Sequence, residues 1–254
     1  MGKIIAVTNQ KGGVGKSTTA INLAASLALK DKRILIIDMD PQGNTTSGLG
    51  VDKNAQENTI YELLLGEIKV KDAILKDVYE NLDMIPSNVN LSGAEIELMN
   101  VENKEFILKK ALARVKGIYE YILIDCPPSL NTLTINAMSA ADSIIVPIQC
   151  EYYALEGLSQ LMYTIDLVKT RLNSKLKVEG VVFTMYDGRN NLSQQVVQNV
   201  KEYLNQTIFE TIIPRNVRLA EAPSYGLPII KYDPRSAGAE AYLKLAEELI
   251  NMNS

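Results

Sequence analysis

The chain contains no histidine, and that absence removes more chemistry than any other feature of its composition. Ser-His-Asp and Cys-His catalysis are excluded, and with them most zinc sites. Catalysis, if there is any, has to rest on carboxylates, lysines and a metal ion. Cysteine is scarce too. Cys126 and Cys150 are the whole complement, with no C-x-x-C spacing and no disulfide framework. Both read as buried, reduced thiols. No apolar run approaches the ~20 residues needed to cross a bilayer, and the first apolar run starts within a few residues of the N-terminus without a signal-peptide pattern. The expected location is therefore the cytoplasm. Internal repeats, low-complexity linkers and composition breaks are also missing, so we expect one domain over residues 1–254.

What is present suits a folded protein: 46% hydrophobic residues and a net charge of −4. A pI near 5.1 argues against a nucleic-acid coat protein, so any nucleic-acid contact must come from a local patch. Residues 185–235 carry six basic against five acidic side chains, a window of +1 that leaves −5 for the remainder.

Apolar runs at 4–7, 34–37, 82–85, 121–124, 143–148, 178–184 and 208–213 alternate with helical periodicities at 16–30, 104–116, 130–141, 155–172, 193–204 and 237–251. Runs such as Tyr121-Ile122-Leu123-Ile124 are apolar without interruption, as strands buried on both faces must be. The pattern predicts an α/β fold with a doubly wound, mainly parallel sheet flanked by helices. Sheets of this kind bind ligands at the carboxyl ends of their strands, and three strand ends here carry phosphate or metal chemistry.

The first end is Asn9-Gln10-Lys11-Gly12-Gly13-Val14-Gly15-Lys16-Ser17-Thr18, set between an apolar run and an apolar-periodic helix. This is a phosphate-binding loop: glycines let backbone N–H groups turn onto phosphate oxygens, and the helix beginning at Lys16 points its positive end at the same anion. Lys16 is expected on the β/γ-phosphates and Ser17 on Mg²⁺. Gln10 stands where the generic pattern has glycine, and Lys11 is an additional lysine, which makes this the deviant form of the loop. Lys16 already covers its own nucleotide, so Lys11 at the loop's outer edge is free to serve a second copy, as an arginine finger would. A plain exposed loop lysine is the alternative.

The second end is Asp38-Met39-Asp40-Pro41-Gln42-Gly43-Asn44 and the third Asp125-Cys126-Pro127-Pro128-Ser129. Asp125 reads as the carboxylate that holds the Mg²⁺ water shell beside Ser17. Either Asp38 or Asp40 could orient the attacking water, and we expect Asp40 to do so. Arg189 and Arg218 lie in loop-like sequence; from spacing alone they are solvated charges, although loop cations can also meet DNA phosphates without reading bases. The segment 241–250 has helical apolar spacing but one lysine against two glutamates, which suits packing on the sheet better than a membrane surface.

These blocks, together with Gln149-Cys150-Glu151-Tyr152-Tyr153-Ala154-Leu155-Glu156-Gly157 and Pro214-Arg215-Asn216-Val217-Arg218, resemble the ParA/Soj family of chromosome-partitioning ATPases, and the likeness runs end to end. The resemblance implies a P-loop ATPase that uses ATP and Mg²⁺ and closes as a face-to-face homodimer around its nucleotides. It implies that Lys11 touches the partner copy's phosphates, with Gly12 at that interface and Gly13, Val14, Gly15 and Thr18 completing the nucleotide cradle. It implies adenine contacts near Met185, Pro214, Arg215 and Asn216, and non-specific DNA contacts near Arg189 and Arg218. A centromere-binding partner, ParB, would stimulate hydrolysis and release the dimer from the nucleoid, and an effect on replication initiation is implied as well.

Two other readings share the loop. A membrane-cycling relative of the MinD type would need a basic amphipathic tail, and the acidic segment 241–250 speaks against it. An iron–sulfur reductase would need thiolates, and neither Cys126 nor Cys150 has suitable local spacing. A nucleotide-gated scaffold without hydrolysis is a third.

Overall fold

The computed structural model describes residues 2–151 and 154–253. Seven strands form one sheet: β1 (Lys3–Val7), β2 (Ile34–Asp38), β3 (Leu75–Tyr79), β4 (Leu82–Ile85), β5 (Tyr121–Asp125), β6 (Ser143–Gln149) and β7 (Lys177–Thr184). Their order is β3-β4-β2-β5-β1-β6-β7, parallel throughout except for the β3–β4 pair at one edge. Eleven helices follow among the described residues: α1 (Lys16–Leu29), α2 (Asn44–Gly48), α3 (Ile60–Leu65), α4 (Leu91–Glu97), α5 (Ile107–Leu112), α6 (Thr132–Ala140), α7 (Ala154–Arg171), α8 (Asn191–Tyr203), α9 (Val217–Glu221), α10 (Ile229–Tyr232) and α11 (Ala237–Met252).

Alternate residues of each central strand face opposite layers, so an uninterrupted apolar strand feeds two cores. Ile4, Ala6, Ile122, Ile124, Ile144 and Val146 join Leu108, Leu133 and Leu161 from α5, α6 and α7. Ile5, Val7, Leu123 and Ile145 join Leu23, Leu27, Tyr242 and Leu245 from α1 and α11. In-register pairing sets Val7 and Asp38 beside Asp125, so the carboxyl ends of β1, β2 and β5 finish level. That ledge carries the site.

Two sequence expectations change. The expected helix over 104–116 opens as a 3-10 turn at Lys104–Phe106, and its regular part is only α5. The run at 208–213 is not a regular strand. It touches β7 through an isolated bridge at Ile208, with Phe209 N–H donating to Val181 O and Ile213 N–H to Phe183 O. Between them the Glu248 carboxylate of α11 accepts the N–H groups of Glu210 and Thr211 at 2.6 and 3.0 Å. Satisfied from the side, those amides do not continue the ladder. The segment still runs along β7, which brings Pro214 to the ledge.

Candidate functional site

The loop between β1 and α1 is built around backbone conformations that favour glycine. Gly13 and Gly15 have φ of 75° and 88°, in the left-handed region. The loop is tied down on three sides. Asn9 donates to Pro147 O at 2.8 Å and accepts Lys11 N–H at 3.0 Å. Gln10 donates to Gly157 O and Gln160 Oε1, both on α7. The Thr184 hydroxyl at the end of β7 donates to Val14 O at 2.8 Å. Residues Gly12, Gly13, Gly15, Lys16, Ser17 and Thr18 then line an open mouth of about 430 Å³, joined by Asp40 and Gln42 from the end of β2.

Lys16 lies almost wholly buried at the start of α1, its Nζ donating to Lys11 O at 3.0 Å. Burial lowers its pKa, opposed by the charges of Asp125, Cys126 and Asp40. An ammonium held this way keeps donors free in a site of low dielectric and favours an anion. Lys11 is different: half exposed, its Nζ meets Glu151 Oε2 at 2.5 Å.

Three carboxylates share the ledge, each in its own environment. Asp38 is completely buried, its Oδ2 accepting the N–H and hydroxyl of Thr46 at 2.8 and 2.7 Å and its Oδ1 the N–H of Asp40. Its pKa is raised to about 6 by burial, against those hydrogen bonds. Asp125 Oδ2 accepts the Thr45 hydroxyl at 2.7 Å, while its Oδ1 is buried without a hydrogen-bond partner among the described residues. Burial, then the charge of Asp38, raises it to about 7; the hydroxyls of Ser17 and Thr45 pull the other way. Asp40 accepts Gln42 N–H at 2.9 Å and is the one of the three that lines the mouth. Thr45 and Thr46 open α2, and their positioning of Asp125 and Asp38 was not expected from sequence. The signal was there as hydroxyls seven and eight residues after Asp38.

Beside the mouth lies a mostly apolar cavity of about 390 Å³, sharing Gly15, Thr18 and Met185 with it. Pro214, Arg215 and Asn216 stand on its wall, so all four expected base-contacting residues meet there. Met185 has φ of 51°, unusual for so bulky a side chain. Tyr186 holds the turn, donating its N–H to Ile213 O and accepting Arg215 N–H. Asn216 also caps α9 through Arg218 N–H.

Arg189 lies in the loop between β7 and α8, whereas Arg218, expected in a loop, stands in the first turn of α9, whose Val217, Leu219 and Ala220 line the cavity; each arginine has a carboxylate partner. Arg189 forks onto Asp187 at 2.8 and 3.0 Å and is almost fully exposed. Arg218 pairs with Glu221 at 2.8 Å and reaches Asp233 at 3.5 Å. Exposed pairs of this kind hold their charges weakly and release them to a better partner. Both cysteines are buried and free, Cys150 pushed up to about 11 and Cys126 higher still by burial. Neither environment favours a thiolate. In the block 149–157, Tyr152 and Tyr153 lie outside the described residues, whereas its Glu151 is the partner of Lys11, a role not foreseen from sequence.

Comparison with known proteins agrees with this geometry. The family profile described as AAA domain matches residues 2–178. The chain is 58% identical to the sporulation initiation inhibitor protein Soj of Bacillus subtilis, over 98% of each chain. It is 54% identical to the chromosome partitioning protein ParA of Myxococcus xanthus, over all of this chain and 90% of that one. Among solved structures, cobyrinic acid a,c-diamide synthase of Mycobacterium smegmatis, determined with an ATP analog and magnesium, superposes with a TM-score of 0.88 at 35% identity, covering 99% of this chain and 95% of that one. The deviant phosphate loop, the level carboxylates and this end-to-end identity make the chain a member of the ParA/Soj family of chromosome-partitioning ATPases.

Proposed function

We propose that this chain is an ATP-driven switch in chromosome partition: two copies close face to face on ATP, hold DNA non-specifically, and let go when ATP is hydrolysed. The observation that carries the reading is the continuity of a phosphate mouth, floored by the buried ammonium of Lys16, with an apolar cavity of about 390 Å³ walled by Met185 and Pro214. A triphosphate fits the first and a purine the second.

The ledge also suits a magnesium ion. Among the described residues no cluster of three or more His, Cys, Asp or Glu could hold a metal outright. Mg²⁺ characteristically takes one or two protein oxygens and completes its shell with phosphate and water. Ser17 would be the direct ligand, and the unpartnered Oδ1 of Asp125 would accept from coordinated water. Bound there, the ion would neutralise charge developing on the β- and γ-phosphate oxygens. Lys16 supplies donors to the same oxygens from within the chain. Asp40, which lines the mouth with a small exposed remnant where Asp38 has none, orients the attacking water.

Gly12 and Lys11 favour a second copy. A Cβ built at Gly12 meets nothing within 4 Å, and Gly12 is absent from the positive-φ glycines, so the chain's own packing does not require glycine there. The requirement then comes from what approaches the loop from outside. Lys11, parked on Glu151, is placed to move onto a neighbour's phosphates, which makes hydrolysis depend on pairing. Arg189 and Arg218 serve the DNA backbone, a ParB-type protein accelerates turnover and release, and a replication initiator is a further partner. The location is the cytoplasm, on the nucleoid. A membrane role is disfavoured because Tyr242, Leu245, Ala246 and Leu249 of α11 are buried in the core, and no described helix is long and apolar enough to cross a bilayer.

Co-sedimentation with DNA tests this. Binding is expected with ATP and not with ADP, lost in Lys16→Ala and Gly12→Val, and weakened in Arg189→Ala. Binding at physiological salt that ignores the nucleotide and all three substitutions would refute the switch.

A further inference from the structure

Helix α4 is apolar on two opposite sides. Its Leu91, Ala94 and Leu98 are buried in the core. Helical turns continue past both of its ends, from Leu91 N–H on Asn88 O to Val101 N–H on Leu98 O. On the side away from the core, Val89, Ile96 and Met99 follow one another at helical spacing, with Ser92 between them. They are 70%, 73% and 61% exposed, and Val101 just beyond them is exposed as well. Four of the twelve large apolar side chains exposed among the described residues therefore fall within residues 89–101. Scattered apolar residues on a surface need no explanation, but a stripe of them on a helix whose other side already fills the core does. The chain's own packing does not require it.

Carboxylates flank the stripe. Glu95 and Glu97 stand on either side of Ile96, and Glu102 and Glu105 follow Val101, none with an ion-pair partner among the described residues. The cations that lie against this segment are engaged elsewhere: Lys104 donates to Met99 O at 2.7 Å, and Lys53, packed beside Ser87, donates to Gln42 O. Lys69 and Lys71, between α3 and β3, are offset by Glu67 and Asp72, while Lys109 and Lys110 lie on α5, which leads away to the start of β5. The face thus offers apolar anchors beside unpaired acids. Its root reaches the nucleotide ledge. The Ser87 hydroxyl donates to Asp40 O at 2.8 Å and the Ser87 N–H to Thr46 Oγ1 at 2.9 Å, while the Thr46 hydroxyl holds Asp38. Whatever moves the start of α4 moves the backbone of Asp40.

We propose that this face of α4 docks a basic amphipathic helix of a second protein, and that docking speeds ATP hydrolysis through the contact between Ser87 and Asp40. The inference rests on the switch reading above and names a surface and a partner chemistry for its release step. Apolar side chains along one side of such a helix cover Val89, Ile96 and Met99, and lysines or arginines at its margins meet Glu95, Glu97 and Glu102. A second copy of this chain suits the face less, because a two-fold contact through it sets the same carboxylates against one another. An anionic membrane is repelled by the same charges. Held from outside, α4 fixes Ser87, and Ser87 fixes the backbone from which the Asp40 carboxylate is aimed at water, so Ser87 is a positioning residue.

The probe is a fluorescein-labelled peptide of about 18 residues, five helical turns, with leucines along one side and arginines flanking them; its twin has glutamates in place of the arginines. Fluorescence anisotropy with the full chain in Mg²⁺ and ATP should show binding of the basic peptide alone. Ile96→Ser with Met99→Ser should weaken that binding by roughly 10-fold or more. Glu97→Gln with Glu102→Gln should weaken it by about 3- to 10-fold at low salt and flatten its salt dependence. Saturating basic peptide should raise ATP turnover of wild type several-fold, and should leave turnover of Ser87→Ala unchanged although that variant still binds the peptide. Equal binding of the two peptides, basic-peptide binding that ignores both double variants, or a bound peptide without effect on wild-type turnover would each overturn the proposal. So would loss of ATP-dependent pairing in Ile96→Ser with Met99→Ser, which gives the face to a second copy, or wild-type binding to phosphatidylglycerol vesicles that this variant loses, which gives it to lipid. Failure of the switch reading shows separately, as wild type that does not pair in ATP without any peptide.

Discussion

Asp38 and Asp125 bind protons more tightly in the folded protein than carboxylates free in water, because burial raises both, to about 6 and about 7. Below about pH 4 the unfolded chain is protonated at these positions too and the associated stability is fully present. It is lost as pH rises through the raised values. The ligand-free protein is therefore expected to lose stability from this pair between about pH 4 and about pH 7, and Asp125→Asn should relieve the cost. Thermal melts of wild type and Asp125→Asn should differ more at pH 8 than at pH 5, in favour of the variant; a difference independent of pH would contradict the assignment. Glu151 makes a second residue-scale case. Its ion pair with Lys11 competes with any external phosphate for the same ammonium. Glu151→Gln keeps the shape and removes the charge, so ATP-dependent pairing should tighten, by roughly 2- to 5-fold if the half-exposed pair is worth up to about 1 kcal/mol. Unchanged or weaker pairing in a light-scattering titration would mean that Glu151 does not restrain Lys11.

Elements carry these residues to the ledge, and the segment beside β7 is the most exposed to damage. Gly180 of β7 lies under Phe209, whose ring carbons would sit 2.6 to 3.1 Å from an added Cβ. Gly180→Val should cost about 1–3 kcal/mol by overpacking and push out the strip that delivers Ile213 and Pro214 to the apolar cavity. Weaker nucleotide binding is expected, measured by fluorescence of a labelled ATP, and binding equal to wild type would separate that strip from the base site. On α11, Leu245 is completely buried, so Leu245→Ala should lower stability by about 2–5 kcal/mol in a denaturant titration, as a core helix requires. A cost below 1 kcal/mol would mean that the helix is detachable. The long elements were legible in sequence because β1, β2, β5 and β6 contain uninterrupted apolar runs and α1, α7 and α11 have clear helical spacing. Of the stretch 44–97, only β4, read from the run 82–85, was. Its helices α2, α3 and α4 are too short for periodicity, and β3 is a half-exposed antiparallel edge without an apolar run. In the structure α3 starts at a capping box of Thr59 and Glu62, which the sequence reading did not identify. Among site residues, the glycines, lysines and aspartates were readable because their chemistry is local. Thr45, Glu151 and Thr184 were not, since each acts on a group brought to it by the fold.

At the scale of the molecule, one end of the sheet gathers Lys11, Lys16, Asp40 and Asp125 around an open mouth. A monomer leaves the mouth open to water, while a second copy placed over it would close the nucleotide in and give Lys11 its phosphate. The central claim is that pairing follows the nucleotide, and sedimentation velocity reads it directly. With Mg²⁺ and ATP, the Asp40→Ala variant, which removes the carboxylate proposed to orient the attacking water, should sediment at twice the monomer mass. With ADP it should remain a monomer, and a Gly12→Val version should stay monomeric in ATP while still binding labelled nucleotide. One and the same mass for all of these, whether monomer or dimer, would contradict the account.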